Sequence, residues 1–400
     1  MGNVKRNIFL LSMAQFILLA SVVTVITYSS LVAKIMTGST ALATIPSATA
    51  FIATAMFAFP ASIFMKKFGR KKGFFTGAFF ACIAGFCAVV SIYLNNYYLL
   101  CFATFCHGIY QSFANYYRFT ALEVSPPKYH KQAVSYVILG GVFAGLSAPS
   151  LAFLFESNFF IPLQYAGTYC LVMALSVVAF FLISQIKLPP KKQPLLKVTP
   201  LKNPKLIDVI KRPAFVCASL SSACAYITMS FIMTATPLEV VEVCGFLVAD
   251  AAGIIQWHSV SMFAPAIITG TLIARFGSVK MITIGMIFIL GSTITAKSGL
   301  TLYNFYLALI LIGIGWNFMF TAGTTLLQQA YNEEEKAFVQ GLNDLIVFGL
   351  AAIATLASGF MLSTVGWNMM NNMVVGVLIS LIFIILWFMR IKKNTAKITT

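Results

Sequence analysis

The sequence predicts an all-α integral membrane protein of twelve transmembrane helices, arranged as two pseudo-symmetric six-helix halves. Composition is the first reason. Of 400 residues, 60% are hydrophobic and only 9% charged, with a mean hydropathy of +0.90, whereas a soluble domain needs more charge to cover its surface. At ~20 apolar residues per span, the length holds about a dozen helices and no sizeable soluble domain. The second reason is where the cations sit. Of the 27 Lys and Arg residues, all but Lys34 and Lys297 fall in alternate loops, at the termini or at adjoining helix ends. That asymmetry is the positive-inside pattern, so those loops and both termini are expected to face the cytoplasm. The formal charge of +17 therefore belongs to membrane topology and not to a nucleic-acid groove. The third reason is a repeated loop. Phe59–Gly73 sets Lys66, Lys67, Arg70, Lys71 and Lys72 between two apolar segments, and Gly270–Lys280 does the same with Arg275 and Lys280. Two copies of one loop imply two copies of a half-protein, an organisation typical of secondary transporters.

Taken in order, the apolar segments place spans at 7–33, 41–64, 73–94, 97–119, 133–155 and 162–186, then at 213–236, 248–273, 279–298, 302–329, 337–362 and 366–390. Lys5-Arg6 before the first segment resembles a signal n-region, but the apolar run is too long for a signal h-region and reads as an uncleaved span. On the side opposite the cations the loops are tight, as at Asn95-Asn96. Residues 187–212, with five prolines and many lysines, form a polar linker between the halves 1–186 and 213–390. Residues 391–400 are expected to be a short, basic, disordered cytoplasmic tail. The eight cysteines lie mostly inside apolar segments, with no CxxC, so neither a disulfide framework nor a metal cluster is expected.

Lys67-Phe68-Gly69 aligns with Arg275-Phe276-Gly277, each between the second and third span of its half. On this loop, and over its whole length, the chain resembles a bacterial member of the major facilitator superfamily. The family's signature loop runs roughly Gly-x-x-x-Asp-Arg-x-Gly-Arg-Arg/Lys. Here Ser62, Lys66 and Lys67 stand at the first glycine, the acid and the arginine, followed by Phe68, Gly69, Arg70 and Lys71. The second copy keeps Gly270, Arg275, Gly277 and Lys280, with Ala274 at the acid. The resemblance implies that this loop latches the cytoplasmic side, its acid facing the eleventh helix. Lys66 departs from that, because a cation is repelled by a helix N-terminus. Either the latch is weaker here, or Glu333, Glu334, Glu335 or Asp344 takes its part; Lys66 also satisfies the positive-inside rule alone. Lys67, Gly69, Arg70, Glu123, Arg275, Gly277 and Asp344 are the candidate gate residues.

Ionisable and polar groups inside a membrane are costly and are functional candidates by default. His107, Gln111, Asn115 and Arg118 follow at spacings of four, four and three, which share one helix face. The resemblance implies that the first, fourth, seventh and tenth helices line a central cavity. Gln15 and Tyr28, Tyr226 and Ser230, and Trp316 and Asn317 then join that stripe as substrate-binding candidates, with Thr24, Thr27, Thr234, Thr321, Thr324 and Gln328 beside them. Small hydroxyls often bond only to their own helix. His107 and His258, one in each half, are candidate proton-coupling groups because an imidazole titrates near neutrality; either can equally be a packing residue. Glu123 is expected to pair with Arg118 or Arg70. Gly141, Gly145 and Pro149 match the small-residue fifth helix of the family's antiporters, where they allow close packing. Thr104 stands where drug antiporters carry an arginine, which argues against that subgroup.

No nucleophile–base pairing, phosphate loop or metal-ligand cluster points to an enzyme, and no cofactor is expected. The leading expectation is a monomeric, proton-coupled inner-membrane transporter of a small organic solute. Scarce cavity acids and the cations His107, His258 and Arg118 suggest an anion such as a carboxylate or a siderophore. The rival is a proton-driven exporter of lipophilic compounds, and a third reading is a membrane receptor that binds without flux.

Overall fold

The computed structural model describes residues 2–156, 163–188, 206–332 and 335–398, which form helices and no strand. The linker's 189–205, together with Glu333 and Glu334, lie outside the described residues. The N-terminal half comprises α1 (Gly2–Thr37), α2 (Ile45–Phe68), α3 (Arg70–Tyr93), α4 (Tyr97–Ala114), α5 (His130–Glu156) and α6 (Ala166–Gln185). The C-terminal half opens with α7 (Pro213–Leu238), which closes in a π-helical turn at Glu239–Val243. It continues with α8 (Val248–Phe263 and Ala266–Phe276, bent by 42°), α9 (Ser278–Lys297) and α10 (Leu302–Leu327). Pro265 sits at the bend of α8, where its missing N–H interrupts the ladder. The last helix, Lys336–Ile398, is broken at Gly366 (φ 76°, ψ 173°) into α11 (336–365) and α12 (367–398).

Nine described helices are individually long and apolar enough to cross a membrane, and the bent α8 makes a tenth. The break at Gly366 divides the longest into two, and α4, with 18 residues, completes a set of twelve. The tail differs from expectation. Residues 391–398 continue α12 as helix, because nothing in Ile391–Ile398 breaks the hydrogen-bond ladder.

Local chemistry fixes the ends. Asn96 accepts the Leu99 N–H at the start of α4, and Thr301 with Asn304 forms a capping box on α10. The two signature loops share one backbone. Gly69 (φ 91°, ψ 157°) ends α2 and Gly277 (φ 84°, ψ 154°) ends α8, a conformation side chains other than glycine's rarely adopt. The preceding cations also match, with Lys67 5.2 Å from the Phe68 ring centroid and Arg275 5.3 Å from that of Phe276. The repeat read from the residues is thus a repeat of geometry.

Within the halves, α1 packs on α5, α4 on α2 and α3, α7 on α10 and α11, and α9 on α10. Between the halves, α2 meets α11 and α5 meets α8. The α2–α11 seam runs along most of both helices. Thr44 Oγ1 accepts the Gly359 N–H at 3.1 Å at one end, Phe51 and Ala55 meet Phe348 and Ala352 in the middle, and Phe59 lies over Gly341 at the cation-rich end. On α5, a Cβ on Gly141 would meet Leu19 and Phe263, and one on Gly145 would meet the Val260 backbone. Pro149 lies one turn further along, and Ser150 donates to Gln256 at 2.8 Å.

At the cation-rich end the charges tie helix ends together. Lys71 donates to the Ser184 and Ile186 carbonyls, and Arg6 to that of Gln185, so the C-terminus of α6 is capped by cations. Arg212 donates to both Glu335 oxygens at 2.6 and 2.8 Å and to the Ala330 carbonyl at 2.7 Å, joining the starts of α7 and α11 to the end of α10. Those hydrogen bonds hold the Glu335 carboxyl below its usual range and raise Arg212. Glu335 therefore serves Arg212. An acid with a depressed folded value contributes stability above its unfolded value and loses it as pH falls through the folded one. Glu335→Gln should lower the melting temperature at pH 7 by roughly 2–4 °C, with the gap to wild type closing as pH drops below the carboxylate range.

Candidate functional site

The halves meet around a cluster of rings. Tyr226 of α7 lies 5.3 Å from Trp316, 5.1 Å from Phe320 and 5.2 Å from Phe348, centroid to centroid and edge to face. Trp316 and Phe320, one turn apart on α10, lie nearly parallel (17°) with centroids 5.1 Å apart. Phe263 of α8 meets the far edge of Trp316 at 6.2 Å. Phe348 and Tyr226 also belong to the patch with Phe51, Ile52 and Ala55 of α2, which places the cluster between the halves. Edge-to-face and offset ring pairs are individually favourable, and a surface of several rings is suited to a flat apolar solute.

Toward the cation-rich end stand an acid and a cation from opposite halves. Asp344 of α11 accepts from Asn343 at 3.1 Å. Arg118 is exposed, its guanidinium 4.9 Å from the Phe119 ring centroid, and no carboxylate among the described residues forms an ion pair with it. Glu123 binds Arg70 instead, at 2.8 Å. Arg70 also lies 4.8 Å from the Tyr116 ring centroid.

The predicted fourth-helix stripe is not one surface. α4 ends at Ala114, Asn115 caps it, and Tyr117–Val124 is a separate short helix, so Arg118 sits on a different element from His107 and Gln111. His107 turns into the N-terminal half. It is buried, with Nε2 3.1 Å from the Ser21 hydroxyl. Beside it is a cavity of about 10 Å³, lined also by Ala84 and Ala88 of α3 and Tyr169 of α6. Gln111 is half-buried, 3.4 Å from the Thr54 hydroxyl of α2. Tyr28 is fully buried with its ring against Tyr165, and Gln15 is half-buried on α1. Thr24 and Thr27 bond to carbonyls of their own helix.

In the C-terminal half, Asn317 is turned away from the cluster, accepting from Thr269 at 2.7 Å and donating to the Met262 carbonyl at 2.6 Å, both in or beside α8. Ser230 donates to the Ala351 carbonyl at 3.4 Å. His258 is wholly buried, with Nδ1 2.7 Å from the Leu309 carbonyl and no partner for Nε2 among the described residues. Of the ten substrate-site candidates, Tyr226 and Trp316 belong to the ring cluster at the junction of the halves. Phe263, Phe320 and Phe348 were missed, because 37 phenylalanines look alike in an apolar sequence. Glu239 was missed too. It is an acid only 4% exposed, in the π-turn that ends α7. Among the described residues no group of His, Cys, Asp and Glu could hold a metal.

A family model described as Major Facilitator Superfamily matches residues 8–354 and 259–399. The chain is 32% identical over 370 residues to a protein named riboflavin transporter RfnT from Brucella anthropi, covering 92% of each. It is 24% identical to YdeG of Bacillus subtilis, an uncharacterized transporter of the same superfamily, covering 95% of this chain and 90% of that one. Among solved structures, it is similar to a bacterial homolog of the human lysosomal transporter Spinster (TM-score 0.72, 14% identity, 96% of each chain). It is also similar to the E. coli fucose:proton symporter FucP (TM-score 0.63, 18% identity, 95% of this chain and 98% of that one).

Proposed function

Because this chain belongs to the major facilitator superfamily, a family of multi-pass membrane transporters, we propose that it carries a flat heteroaromatic solute of the riboflavin class across the inner membrane, coupled to protons. The observation that carries the substrate class is the ring cluster of Tyr226, Trp316, Phe320 and Phe348 between the halves. The relative named for riboflavin points the same way. Planar tricyclic rings gain stacking and apolar burial on such a surface and need few charges from the protein. The carboxylate reading has less support, since Arg118 is exposed on the short helix after α4 and is not among the rings of the cluster. In this reading the two halves rock about the cluster, both termini lie in the cytoplasm, and the protein works as a monomer.

Riboflavin uptake into proteoliposomes under an inward-acid gradient tests this. Concentrative, gradient-dependent uptake is expected. Equilibration alone would remove coupling, and no flux with carboxylates transported instead would remove the substrate class. For coupling, Asp344 is a better candidate than His107 or His258, both of which are enclosed within a single half. It lies on α11, which packs across the junction against α2, and a carboxylate within the membrane is a natural proton carrier. Asp344→Asn should lose gradient-driven accumulation by about 10-fold or more while keeping riboflavin exchange between loaded vesicles and medium. Gradient-driven uptake retained in that variant would acquit Asp344. An acid beside a ring cluster also suits lipophilic cations, which keeps export of such compounds as the second reading.

A further inference from the structure

Among the rings at the junction of the halves, one polar atom has no partner. The Trp316 indole N–H is buried and meets no acceptor among the described residues, in a side chain only 5% exposed. A donor taken out of water and left unpaired is costly, and native structures rarely keep one without a use. Two polar side chains of the same helices are committed elsewhere. Asn317 is held by Thr269 and the Met262 carbonyl, and Ser230 points to the Ala351 carbonyl. The indole donor is thus left over in a surface made otherwise of ring faces and edges, with Tyr226, Phe263 and Phe320 around it.

We infer that the Trp316 N–H is the specificity donor of the ring cluster, binding a carbonyl oxygen on the edge of a planar ring system. This inference rests on the reading of the cluster as the solute site. Stacking alone accepts any flat ring of suitable size. A buried donor discriminates, because a ring without an acceptor leaves the N–H as unpaired as before, whereas a carbonyl-bearing ring satisfies it. The ligand class is therefore a fused aromatic system with an in-plane carbonyl, as in the pyrimidinedione ring of flavins. Carbonyl-free tricycles should bind more weakly.

Equilibrium dialysis of the purified full-length protein with riboflavin and with proflavine, a cationic tricycle lacking a carbonyl, tests this. Trp316→Phe keeps a stacking ring and removes the donor. Riboflavin affinity should fall about 10-fold while proflavine affinity stays within about 2-fold. Trp316→His, which restores a ring N–H, should recover part of the loss. An equal loss for both ligands would mean that Trp316 only packs, and an unchanged riboflavin affinity would mean that the donor binds nothing; either overturns the inference. Should neither variant fold, the wild-type protein decides with 2-aminoanthracene, a neutral tricycle lacking a carbonyl, since its binding as tightly as riboflavin is incompatible with a selecting donor. Failure of the wild-type protein to bind riboflavin at all would instead remove the solute-site reading, and this inference with it.

Discussion

Tyr226→Ala should reduce riboflavin transport by about 10- to 100-fold, and Tyr226→Phe should leave it near the wild-type rate. Tyr226 is the hub of the ring cluster, within 5.3 Å of Trp316, Phe320 and Phe348. Removing it deletes three edge-to-face contacts of about 0.5–1.5 kcal/mol each, together with a stacking surface for the solute. Loss of one aromatic platform under a flat ring costs about 1–3 kcal/mol of binding, which is roughly the range predicted for transport. Phenylalanine preserves every ring contact and tests whether the hydroxyl contributes. Equal losses in both variants would assign the role to the hydroxyl and remove the stacking argument. The melting temperature of each variant separates a damaged site from a damaged fold.

Gly359→Ala should cut transport by about 10-fold or more by holding the halves apart at the end of the seam away from the cations. A Cβ on Gly359 would lie 2.5 Å from the Thr40 carbonyl oxygen and 2.9 Å from Thr44 Oγ1. The first of these is backbone, which cannot swing aside, so α2 and α11 must separate locally. Separation also breaks the hydrogen bond from the Gly359 N–H to Thr44. A transporter that works by alternating access must form and break this contact in each cycle, so a substitution that favours one state slows the whole cycle. Gly349→Ala is the control, with nothing within 4 Å of its Cβ. A cysteine at Thr44, which is fully buried, reports the opening. Thr44→Cys should react faster with an impermeant maleimide in the Gly359→Ala background than alone, and equal rates would show that the seam does not open.

Much of the architecture was legible because membranes restrict what a chain can be. Apolar runs of sufficient length must be helices, since unpaired backbone groups are not tolerated in lipid, and the Phe-Gly pair at 68–69 and 276–277 announced a repeat that the matching φ angles of Gly69 and Gly277 then displayed. The site was less legible. Helical spacing put His107, Gln111, Asn115 and Arg118 on one face, but spacing assumes an unbroken helix, and α4 stops at Ala114. It also leaves open which way a face points. His107 and Tyr28 face the inside of their own half, and Asn317 faces α8. The basic residues of the tail do not stop helix, which continues through 391–398.

By itself, then, the sequence determined the class of protein, the number and order of its helices, the repeat and the side on which its charges gather. Each of these follows from transfer free energies and loop charge, quantities that are local in the chain. Tertiary structure alone decided which rings meet. Phe51, Tyr226, Phe263, Trp316, Phe320 and Phe348 come from five helices in two halves. In a chain where lipid-facing and core-facing residues are equally apolar, only helix packing distinguishes a phenylalanine at the centre of the protein from one against the bilayer.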